Sequence, residues 1–498
     1  MLITATIFLP LLAAGVTLLA PARLAAVIGT GATAATLVLS LALWARLPEN
    51  AGYANGFGSE VDLRWIPSVD AGYHVGVDGL SLPLIVMSAV LFLAAAVWSW
   101  RQAARPRSWV ALFLFLETAS IGTFAALDLI LFFVFFDLTI VGMYFVIAGW
   151  GHGRPRASAL LFFLYTFLGS LVMLVGFVVV FAGSAPRTFD VVELVRQQPL
   201  ADDPAMASLA LLLIGVGLAI KTPTVPFHTW LPPAHTDAPA EGSAILAGVL
   251  LKLGTYGFVR IAMPVLPDAW QRWAWVVVVV GVLSVLWGAL VALAQRDIKR
   301  MIAYTSVNHM GYVLLGLGVV GLVAAPAEGR EVATTGAVVQ MVSHGLLTGA
   351  LFLLSGYLWD RGGGYEFARW GGLGGTAPRF SVLLVVAALG SLGLPGLSGF
   401  LAEFHVFAGA FQAAPWAVGI AVTGVLVTAG LFLLALQRLL TGDAREPGAE
   451  AGTDLAVRPA VVVSVLLVLS VVIGLVAPGP LLDLVSPSSA ELVDLMGH

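Results

Sequence analysis

Two lysines lie inside apolar stretches of this sequence, where an ionisable side chain more often has a chemical use than a structural one. Lys221 ends the uncharged run 205–220, and Lys252 lies near the middle of 242–261, which is about the length that crosses a bilayer. A lysine at the centre of a bilayer costs about 2.5 to 3.5 kcal/mol. We therefore expect both ammonium groups to take part in ion movement.

Three carboxylic acids lie in similarly apolar sequence. Asp137 occurs in FFVFFDLTIV, where an unpaired carboxyl would stay protonated, so the sequence predicts a lysine partner for it. Glu403 follows the glycine-rich segment GLPGLSGFLA and is predicted to end a polar series. For Glu117, in LFLFLETASIG, a functional role and a hydrogen bond to a neighbouring helix are equally open.

Two histidines extend this series in the second half of the chain. His309 lies four residues after Thr305 on one helix face, and His344 belongs to a similar polar stripe. Imidazole changes its charge near neutral pH, which favours a proton relay that starts at Lys252, passes by water through the histidines and ends at Glu403. The alternative is that neutral histidines lock adjacent helices together.

The segment between the two lysines contains five prolines and two further histidines, His228 and His235. A proline removes a backbone donor, so Pro223 and Pro226 predict a break in the helix that ends at Lys221. Without a cysteine or an HExxH spacing, these histidines are not predicted to bind a metal. They are expected either to join a water-linked relay or to hydrogen bond at the helix break.

The composition places all these groups in a membrane. Of 498 residues, 59% are hydrophobic and 10% are charged, and the mean hydropathy is +0.98. The pattern predicts an all-α polytopic membrane protein in the lipid bilayer with about 14 spans, beginning near residues 2, 24, 79, 109, 128, 157, 205, 242, 273, 301, 333, 379, 415 and 459. The formal charge of −4 argues against a nucleic-acid partner.

The sequence also bears on cofactors. It contains no cysteine, which excludes cysteine-ligated iron–sulfur clusters and thiolate chemistry from this chain. The GxGxxG match at 316–321 lies within an apolar span and lacks the strand that a nucleotide site requires. We therefore expect no cofactor and no redox chemistry in this chain.

The predicted spans fall into two similar groups. Spans four to eight and nine to thirteen have five members each, and the fourth member of each group is interrupted beside a charge, at Lys221 and at Glu403. An odd number of spans reverses the second group, which predicts two inverted five-helix repeats. The expected division is an N-terminal three-helix segment with an external loop, a first repeat, a second repeat, and a C-terminal loop with the last helix: 1–108, 109–262, 263–440 and 441–498.

Lysines and arginines are distributed unevenly among the predicted loops. Loops after odd-numbered spans contain 15 of them, and the other loops contain 7. Cytoplasmic loops carry the excess of positive charge, so both termini are predicted to lie outside.

Four longer motifs resemble a known family: KTPTVPFHTWLPPAHTDAPAEGSAILAGVLLKLGTYG, QRDIKRMIAYTSVNHMGY, QMVSHGLLTGALFLL and GLPGLSGFLAEF. They are similar to the M subunits of bacterial NADH-quinone oxidoreductase, which belong to the antiporter-like membrane subunits of respiratory complex I. The resemblance implies 14 helices with two inverted repeats, and proton pumping driven by quinone reduction in other subunits. It also implies the bacterial inner membrane, with periplasmic termini and with subunits L and N as neighbours.

The resemblance implies proton-translocating roles for five residues: Lys221, Lys252, His309, His344 and Glu403. Subunits L and N have lysine at the terminal position, so Glu403 favours the M type. Asp137 departs from the family, whose FFE motif has glutamate, and the loss of one methylene affects how closely it can approach Lys221.

Two other functions are kept as alternatives. A subunit of an Mrp-type sodium/proton antiporter resembles this chain in fold and in its lysines. The motif LPPAHTDAPAEGS favours complex I over this alternative. A membrane scaffold would pair its charges structurally and would have no use for Lys252.

Overall fold

The computed structural model describes residues 1–102, 104–445 and 454–497. Its N-terminal part consists of three helices and one β-hairpin: α1 Leu2–Leu19, α2 Ala25–Ala45, β1 Gly58–Ile66, β2 Ala71–Val77 and α3 Leu82–Trp98. The antiparallel hairpin lies between α2 and α3 and pairs Val61 with Val75 and Asp62 with His74. This small sheet is a departure from the purely α-helical fold that the hydropathy pattern predicts.

The first group of helices contains the first predicted interruption. Its members are α4 Pro106–Ala125, α5 Leu129–Trp150, α6 Pro155–Gly183, the short α7 Val191–Gln197, α8 Pro204–Lys221, α9 Leu231–Asp237 and α10 Ala240–Val265. α8 and α9 are the two halves of one broken helix. α10 contains two π-helical turns, Leu246–Leu250 and Phe258–Ala262, on either side of Lys252.

The second group repeats this order. Its members are α11 Pro267–Leu293, α12 Ile298–Val320, α13 Ala327–Gly362, the short α14 Leu373–Thr376, α15 Pro378–Ser391, α16 Ser398–Ala413 and α17 Pro415–Leu440. The pair α15 and α16 is the second broken helix. The chain continues with α18 Val457–Val476 and α19 Gly479–Leu495. Hydropathy does not predict α19, because its apolar positions alternate with acids such as Asp483 and Glu491.

Local sequence signals define the ends of these helices. Helices α4, α6, α8, α11, α15 and α17 each begin at a proline, whose missing N–H is not needed in a first turn. Asp128, Asp203 and Asp297 accept hydrogen bonds from backbone N–H groups in the first turns of α5, α8 and α12. The caps fix where each helix starts and so set the depth of its buried polar residues.

Eleven helical segments in the described ranges are long and apolar enough to cross a membrane. The other predicted spans correspond to α3, which has 17 residues, to α12, and to the interrupted pair α15 and α16. The polytopic helical fold with two broken helices is thus confirmed, and the count of 14 crossings stays a prediction. The same holds for the division at 108, 262 and 440, and residues 446–453 of the predicted C-terminal segment lie outside the described residues.

Two helices form the centre of the molecule. The most apolar windows of α10 and α13 are buried along their whole length, whereas those of α1, α2 and α18 are about one third buried. A helix that is buried all round has no lipid-facing side. Polar side chains on α10 and α13 therefore face other helices, not lipid.

His74 holds the hairpin against the start of α7. Its Nδ1 contacts the Asp190 carboxylate, which also caps α7, and its Nε2 lies 2.9 Å from Glu60 Oε1. Burial alone would lower the pKa of His74, but the hydrogen bonds and charges of Asp190 and Glu60 outweigh it and raise this pKa to about 9. His74 is therefore protonated, as an imidazolium, at neutral pH.

A raised folded-state pKa makes this contact pH-dependent. Its stabilisation is fully present below the ordinary histidine pKa of about 6.5 and is lost as the pH rises through about 9. We expect His74→Gln to increase hydrogen exchange of the hairpin relative to the unsubstituted protein at pH 7, and this difference to disappear above about pH 10. An unchanged difference at both pH values would contradict the assignment of charge to His74.

Candidate functional site

The first helix break places Lys221 at the end of a half-helix. Pro223 and Pro226 follow it, and the chain returns to helix at Leu231. The Trp230 indole donates a 3.0 Å hydrogen bond to the Ile220 carbonyl, so a carbonyl left free by the break is satisfied. The carbonyl end of a helix carries a partial negative charge, which favours an ammonium group at this position.

The Lys221 ammonium contacts α5 through a hydroxyl and an aromatic ring. Its Nζ donates to Thr139 Oγ1 at 3.0 Å and lies 4.9 Å from the centre of the Phe136 ring. No N–O distance of 4.0 Å or less joins Lys221 to Asp137, and Asp137 Oδ1 has no hydrogen-bond partner among the described residues. The predicted direct ion pair is therefore absent from this structure.

Helical geometry explains why Thr139 replaces Asp137 as the contact. Residues two apart on a helix do not face the same neighbour, and Thr139 is fully buried whereas Asp137 is partly exposed. An aspartate side chain is also one methylene shorter than the glutamate that the FFE motif provides. The charge of Lys221 still acts on Asp137, as does the nearby Ser170 hydroxyl.

Lys252 occupies the centre of the molecule and contacts two groups. Its Nζ donates to the Ala247 carbonyl, which belongs to the first π-helical turn of α10, and lies 2.5 Å from His344 Nδ1. π-helical turns often occur at functional sites because they re-aim side chains and carbonyls. The sequence predicted a water-linked step from Lys252, and the structure replaces it with a direct contact to His344.

The two membrane histidines follow one another in the order opposite to their order in the chain. The rings of His344 and His309 lie 5.3 Å apart, and His309 Nε2 donates to the Ser391 carbonyl at 3.1 Å. Ser391 is the last residue of α15, so His309 reaches the second helix break. The remaining ring nitrogens, His344 Nε2 and His309 Nδ1, are buried without a partner among the described residues.

The second break brings Glu403 close to the end of α15. Gly393 and Gly396 have φ of +83° and +98°, which favour glycine, and a Cβ atom on Gly393 would lie 2.7 Å from Glu403 Oε2. The start of α16 is fixed by the Ser398 hydroxyl, which lies 2.7 Å from that of Ser470 and 2.8 Å from that of Ser343. Glu403 is thereby buried beside the break, as the sequence predicted.

Four further residues with an expected or open role differ in their surroundings: Glu117, His228, His235 and Thr305. Both carboxylate oxygens of the fully buried Glu117 lack a hydrogen-bond partner among the described residues, so the helix-bonding role considered for it finds no partner there. His228 Nε2 accepts a hydrogen bond from the Trp287 indole at 3.0 Å. His228 thus hydrogen bonds at the helix break, which is one of the two roles expected for it.

His235 and Thr305 also differ from each other. The His235 ring stacks on Phe352 at 4.5 Å, and neither of its nitrogens has a hydrogen-bond partner among the described residues. Thr305 donates to the Ile302 carbonyl of its own helix at 2.8 Å, so its hydroxyl is not joined to His309. Within the described residues, no three His, Asp or Glu side chains are grouped as metal ligands would be.

Two fully buried cations are not predicted from the sequence, because both fall among the charges assigned to loops. Lys299 is fully buried at the start of α12. Arg260 lies in the second π-helical turn of α10, where its Nη2 is 2.5 Å from Asp78 Oδ2 and its Nε donates to the Tyr256 hydroxyl at 2.9 Å. The spacing of Tyr256 and Arg260, four residues apart in an apolar stretch, is a signal that could have indicated burial.

The geometry defines a class of protein: a polytopic membrane protein with a buried series of lysine, histidine and glutamate side chains between two broken helices. A family model described as "NADH:quinone oxidoreductase/Mrp antiporter, TM" matches residues 126–437. This chain belongs to that family.

Several relatives are similar to this chain over nearly their whole length. NADH-quinone oxidoreductase subunit M of Rhodobacter capsulatus is 36% identical over 504 residues, covering 98% of this chain and 95% of that protein. F(420)H(2) dehydrogenase subunit M of Methanosarcina mazei is 35% identical, covering 98% and 97%. A chain in respiratory complex I from Thermus thermophilus with bound NADH has a TM-score of 0.89 at 29% identity, with full coverage of both chains. The resemblance stated from the motifs is confirmed.

The contact between Gly393 and Glu403 can be tested by adding one methyl group. Gly393→Ala would bring a Cβ within 2.7 Å of the carboxylate and displace it, so we expect turnover of the assembled complex to fall roughly tenfold, the effect of about 1.4 kcal/mol. Gly442→Ala is the matched control, because Gly442 has a similar φ of +81° but open space around it. Equal rates in both variants would show that the carboxylate position does not matter.

Proposed function

We propose that this chain is the proton-translocating M-type membrane subunit of an NADH-quinone oxidoreductase. The proposed carriers are six residues: Asp137, Lys221, Lys252, His344, His309 and Glu403. The contact of Lys252 with His344, and the approach of His309 to the second helix break, are the observations that support this assignment most directly. Quinone reduction in other subunits supplies the energy.

The lysines can act as carriers because a buried ammonium depends on its surroundings. A facing carboxylate favours the charged form, and withdrawal of that carboxylate favours release of the proton. Lys221 bonds to Thr139 here, with Asp137 beyond ion-pair distance, which corresponds to the open form of such a switch. Movement of Asp137 toward Lys221 would close it. Opening and closing would thus alternately release and bind a proton next to the path to Lys252.

The second half of the path consists of three proton acceptors in sequence: His344, His309 and the carboxylate of Glu403. A proton from Lys252 passes to His344 Nδ1, then through the facing ring of His309 toward Glu403 at the break. Each histidine keeps one buried ring nitrogen without a protein partner, so a proton can arrive on one nitrogen while another leaves. Glu403 is the exit group of this series.

The energy balance requires other subunits. Moving one charge outward costs about 2.3 kcal/mol per 100 mV, and this chain has no visible source of that energy. In the proposed arrangement, antiporter-like subunits L and N flank the chain in a bacterial inner membrane. Both termini lie on the periplasmic side, in agreement with the excess of cations in loops after odd-numbered spans.

The electron donor of the whole complex has one alternative to NADH, namely F(420)H(2), because relatives with both names are similar to this chain. The Methanosarcina mazei relative, whose name refers to an F(420)H(2) dehydrogenase, is nearly as similar to this chain as the Rhodobacter capsulatus relative. The buried series would serve either complex, since electrons do not pass through this chain. Co-purification of the tagged chain, with identification of its partners, decides between them.

The Asp137 switch predicts opposite results for two substitutions. Asp137→Glu adds reach and keeps the charge, so we expect nearly unchanged turnover. Asp137→Asn cannot hold Lys221 charged, so we expect turnover and pumping to fall by about 10²-fold. Quinone reduction and vesicle acidification would be measured on the same preparations. An active Asn variant would remove the carboxylate from the mechanism.

Loss of either lysine tests whether these groups are carriers. Lys252→Ala and Lys221→Ala should leave the complex assembled but slow quinone reduction and pumping together, because coupled steps stall when a carrier is missing. Lys221→Arg should fail as well, since guanidinium does not release its proton. Normal proton-to-electron stoichiometry at full rate in any of these variants would exclude the relay.

Glu403 separates proton pumping from structural pairing and from sodium transport. Glu403→Gln keeps the shape but cannot exchange a proton, so pumping should stop, whereas Glu403→Asp should retain part of it. Reconstituted vesicles driven by NADH should acidify without sodium. A strict sodium requirement would favour the Mrp-type function, and a normally pumping Gln variant would refute the exit role.

A further inference from the structure

We propose that this chain has a binding site for one phosphatidylethanolamine molecule, whose headgroup lies in a polar cavity and whose acyl chains lie in an adjoining apolar groove. The headgroup cavity lies between the ends of α3, α5 and α13 and the starts of α10 and α18. The acyl groove lies between α2, α3, α13 and α18. Lipid binding itself does not depend on the proton-translocating function proposed above.

The headgroup cavity has the size and the charged lining of a ligand site. Its volume is about 950 Å³, and small-molecule sites range from about 300 to 1,000 Å³. Two arginines and three acids line it: Arg361, Arg458, Glu241, Asp360 and Asp454. The Asp454 carboxylate caps α15, because it accepts hydrogen bonds from the backbone N–H groups of Arg379 and Phe380. Apart from this cap, the lining contains two cations and two carboxylates.

This balance of charges fits a zwitterionic headgroup. Pockets lined by basic residues bind anionic lipids, whereas a lining of both signs complements a headgroup of both signs. The arginines would bind the phosphate of phosphatidylethanolamine, and Glu241 and Asp360 would accept hydrogen bonds from its ammonium group, which has three N–H donors. A choline headgroup carries the same charges but has no N–H to donate. Phosphatidylethanolamine is therefore the lipid whose headgroup matches this cavity.

Aromatic rings place the headgroup cavity at the membrane surface. Trp98, Trp150 and Trp359 line it, and tryptophan is enriched where lipid headgroups meet the hydrocarbon. The His152 ring stacks on Trp359 at 3.8 Å, and burial lowers the pKa of His152 to about 4, so this histidine adds no charge at neutral pH. The cavity thus lies at the depth of a lipid headgroup.

The acyl groove is apolar along its whole length. It has a volume of about 600 Å³, and every residue that lines it is apolar. Along α3 it extends from Val97 to Pro83, which is roughly 21 Å at 1.5 Å per residue. The hydrocarbon of one leaflet is about 15 Å thick, so an acyl chain that starts at the headgroup cavity fits within the groove. Leu41 and Val465, which are 48% and 50% exposed, form its open side.

Two helices connect the cavity with the groove. On α3, Trp98 lines the cavity and the adjacent Val97 lines the groove. On α18, Arg458 lines the cavity, and Val461, less than one turn further along, lines the groove. A charged cavity that continues into an apolar groove matches an amphipathic ligand, and a phospholipid is the amphipathic ligand that a membrane supplies.

The groove also reaches the helix that carries His344. Val342 and Leu346 of α13 line it, as does Met87 of α3. A Cβ atom on Gly345 would overlap Met87 Sδ, so α3 and α13 are in close contact there. A bound acyl chain would pack on this contact, and we expect lipid removal to loosen it and to slow turnover. This consequence for turnover rests on the proposed function.

A photoreactive lipid tests the site in the whole complex. The probe is phosphatidylethanolamine with a diazirine on one acyl chain, present as a small fraction in phosphatidylcholine vesicles that contain the complex. After illumination, mass spectrometry should locate the probe on residues 83–97 of α3 and 461–473 of α18. Unlabelled phosphatidylethanolamine should compete at concentrations roughly tenfold lower than phosphatidylglycerol, the effect of one hydrogen bond to a charged group.

Two pairs of variants test the groove and the cavity separately. Val465→Trp fills the groove, so labelling should fall roughly tenfold, whereas Val468→Trp, at an exposed residue of α18 outside the groove, should leave it unchanged. Asp360→Asn, at the exposed rim of the cavity, should weaken the preference for phosphatidylethanolamine over phosphatidylglycerol. Asp443→Asn, exposed at the same end but outside the cavity, should preserve this preference.

Equal labelling of Val465→Trp and Val468→Trp would overturn the proposal, as would equal competition by the two lipids. Detergent-delipidated complex should regain turnover with phosphatidylethanolamine. If the probe labels the groove as expected while Lys252→Ala pumps at the full rate, the lipid site stands and the relay is wrong. If Lys252→Ala is inactive while both tryptophan variants are labelled equally, the relay stands and the lipid site is wrong.

Discussion

The contact between Lys252 and His344 determines much of this architecture. An amine buried at the centre of a membrane protein needs partners from the protein, and here it has one backbone carbonyl and one imidazole nitrogen. Neither partner carries a fixed negative charge, so the surroundings do not lock the amine in its charged form. This is the condition that a reversible proton carrier needs. The two groups come from α10 and α13, whose most apolar windows are buried along their whole length.

The helix breaks serve this centre from both sides. At the first break, Lys221 ends α8 and bonds to Thr139; at the second, Ser391 ends α15 and accepts a hydrogen bond from His309. A broken helix leaves backbone groups and side chains at membrane depth that an intact helix would hide. The breaks are themselves held in place by Trp230 and by the serine contacts around Ser398, so the irregular backbone is ordered.

The opposite ends of the molecule are built differently. At the end that carries the hairpin, Arg260 pairs with Asp78, and the imidazolium of His74 lies between Asp190 and Glu60. These mutually satisfied charges join the hairpin to the helices. At the end formed by the loops after odd-numbered spans, Tyr365 lines a cavity of about 950 Å³ and its hydroxyl accepts a hydrogen bond from Lys299. Lys299 has only neutral contacts at hydrogen-bond distance. Paired charges fix structure, whereas a cation without a close carboxylate can respond to protons.

The membrane fold, the two helix breaks and the members of the buried series could be predicted from the sequence. Apolar run length, proline and glycine positions and charges in apolar sequence are local properties. It could not determine which groups touch. The preference of Lys221 for Thr139 over Asp137, the order Lys252, His344, His309, and the burial of Lys299 and Arg260 depend on helix rotation and on residues distant in the chain. These contacts become visible only in the folded protein, because a shift of one residue along a helix turns a side chain by about 100° and exchanges its neighbours.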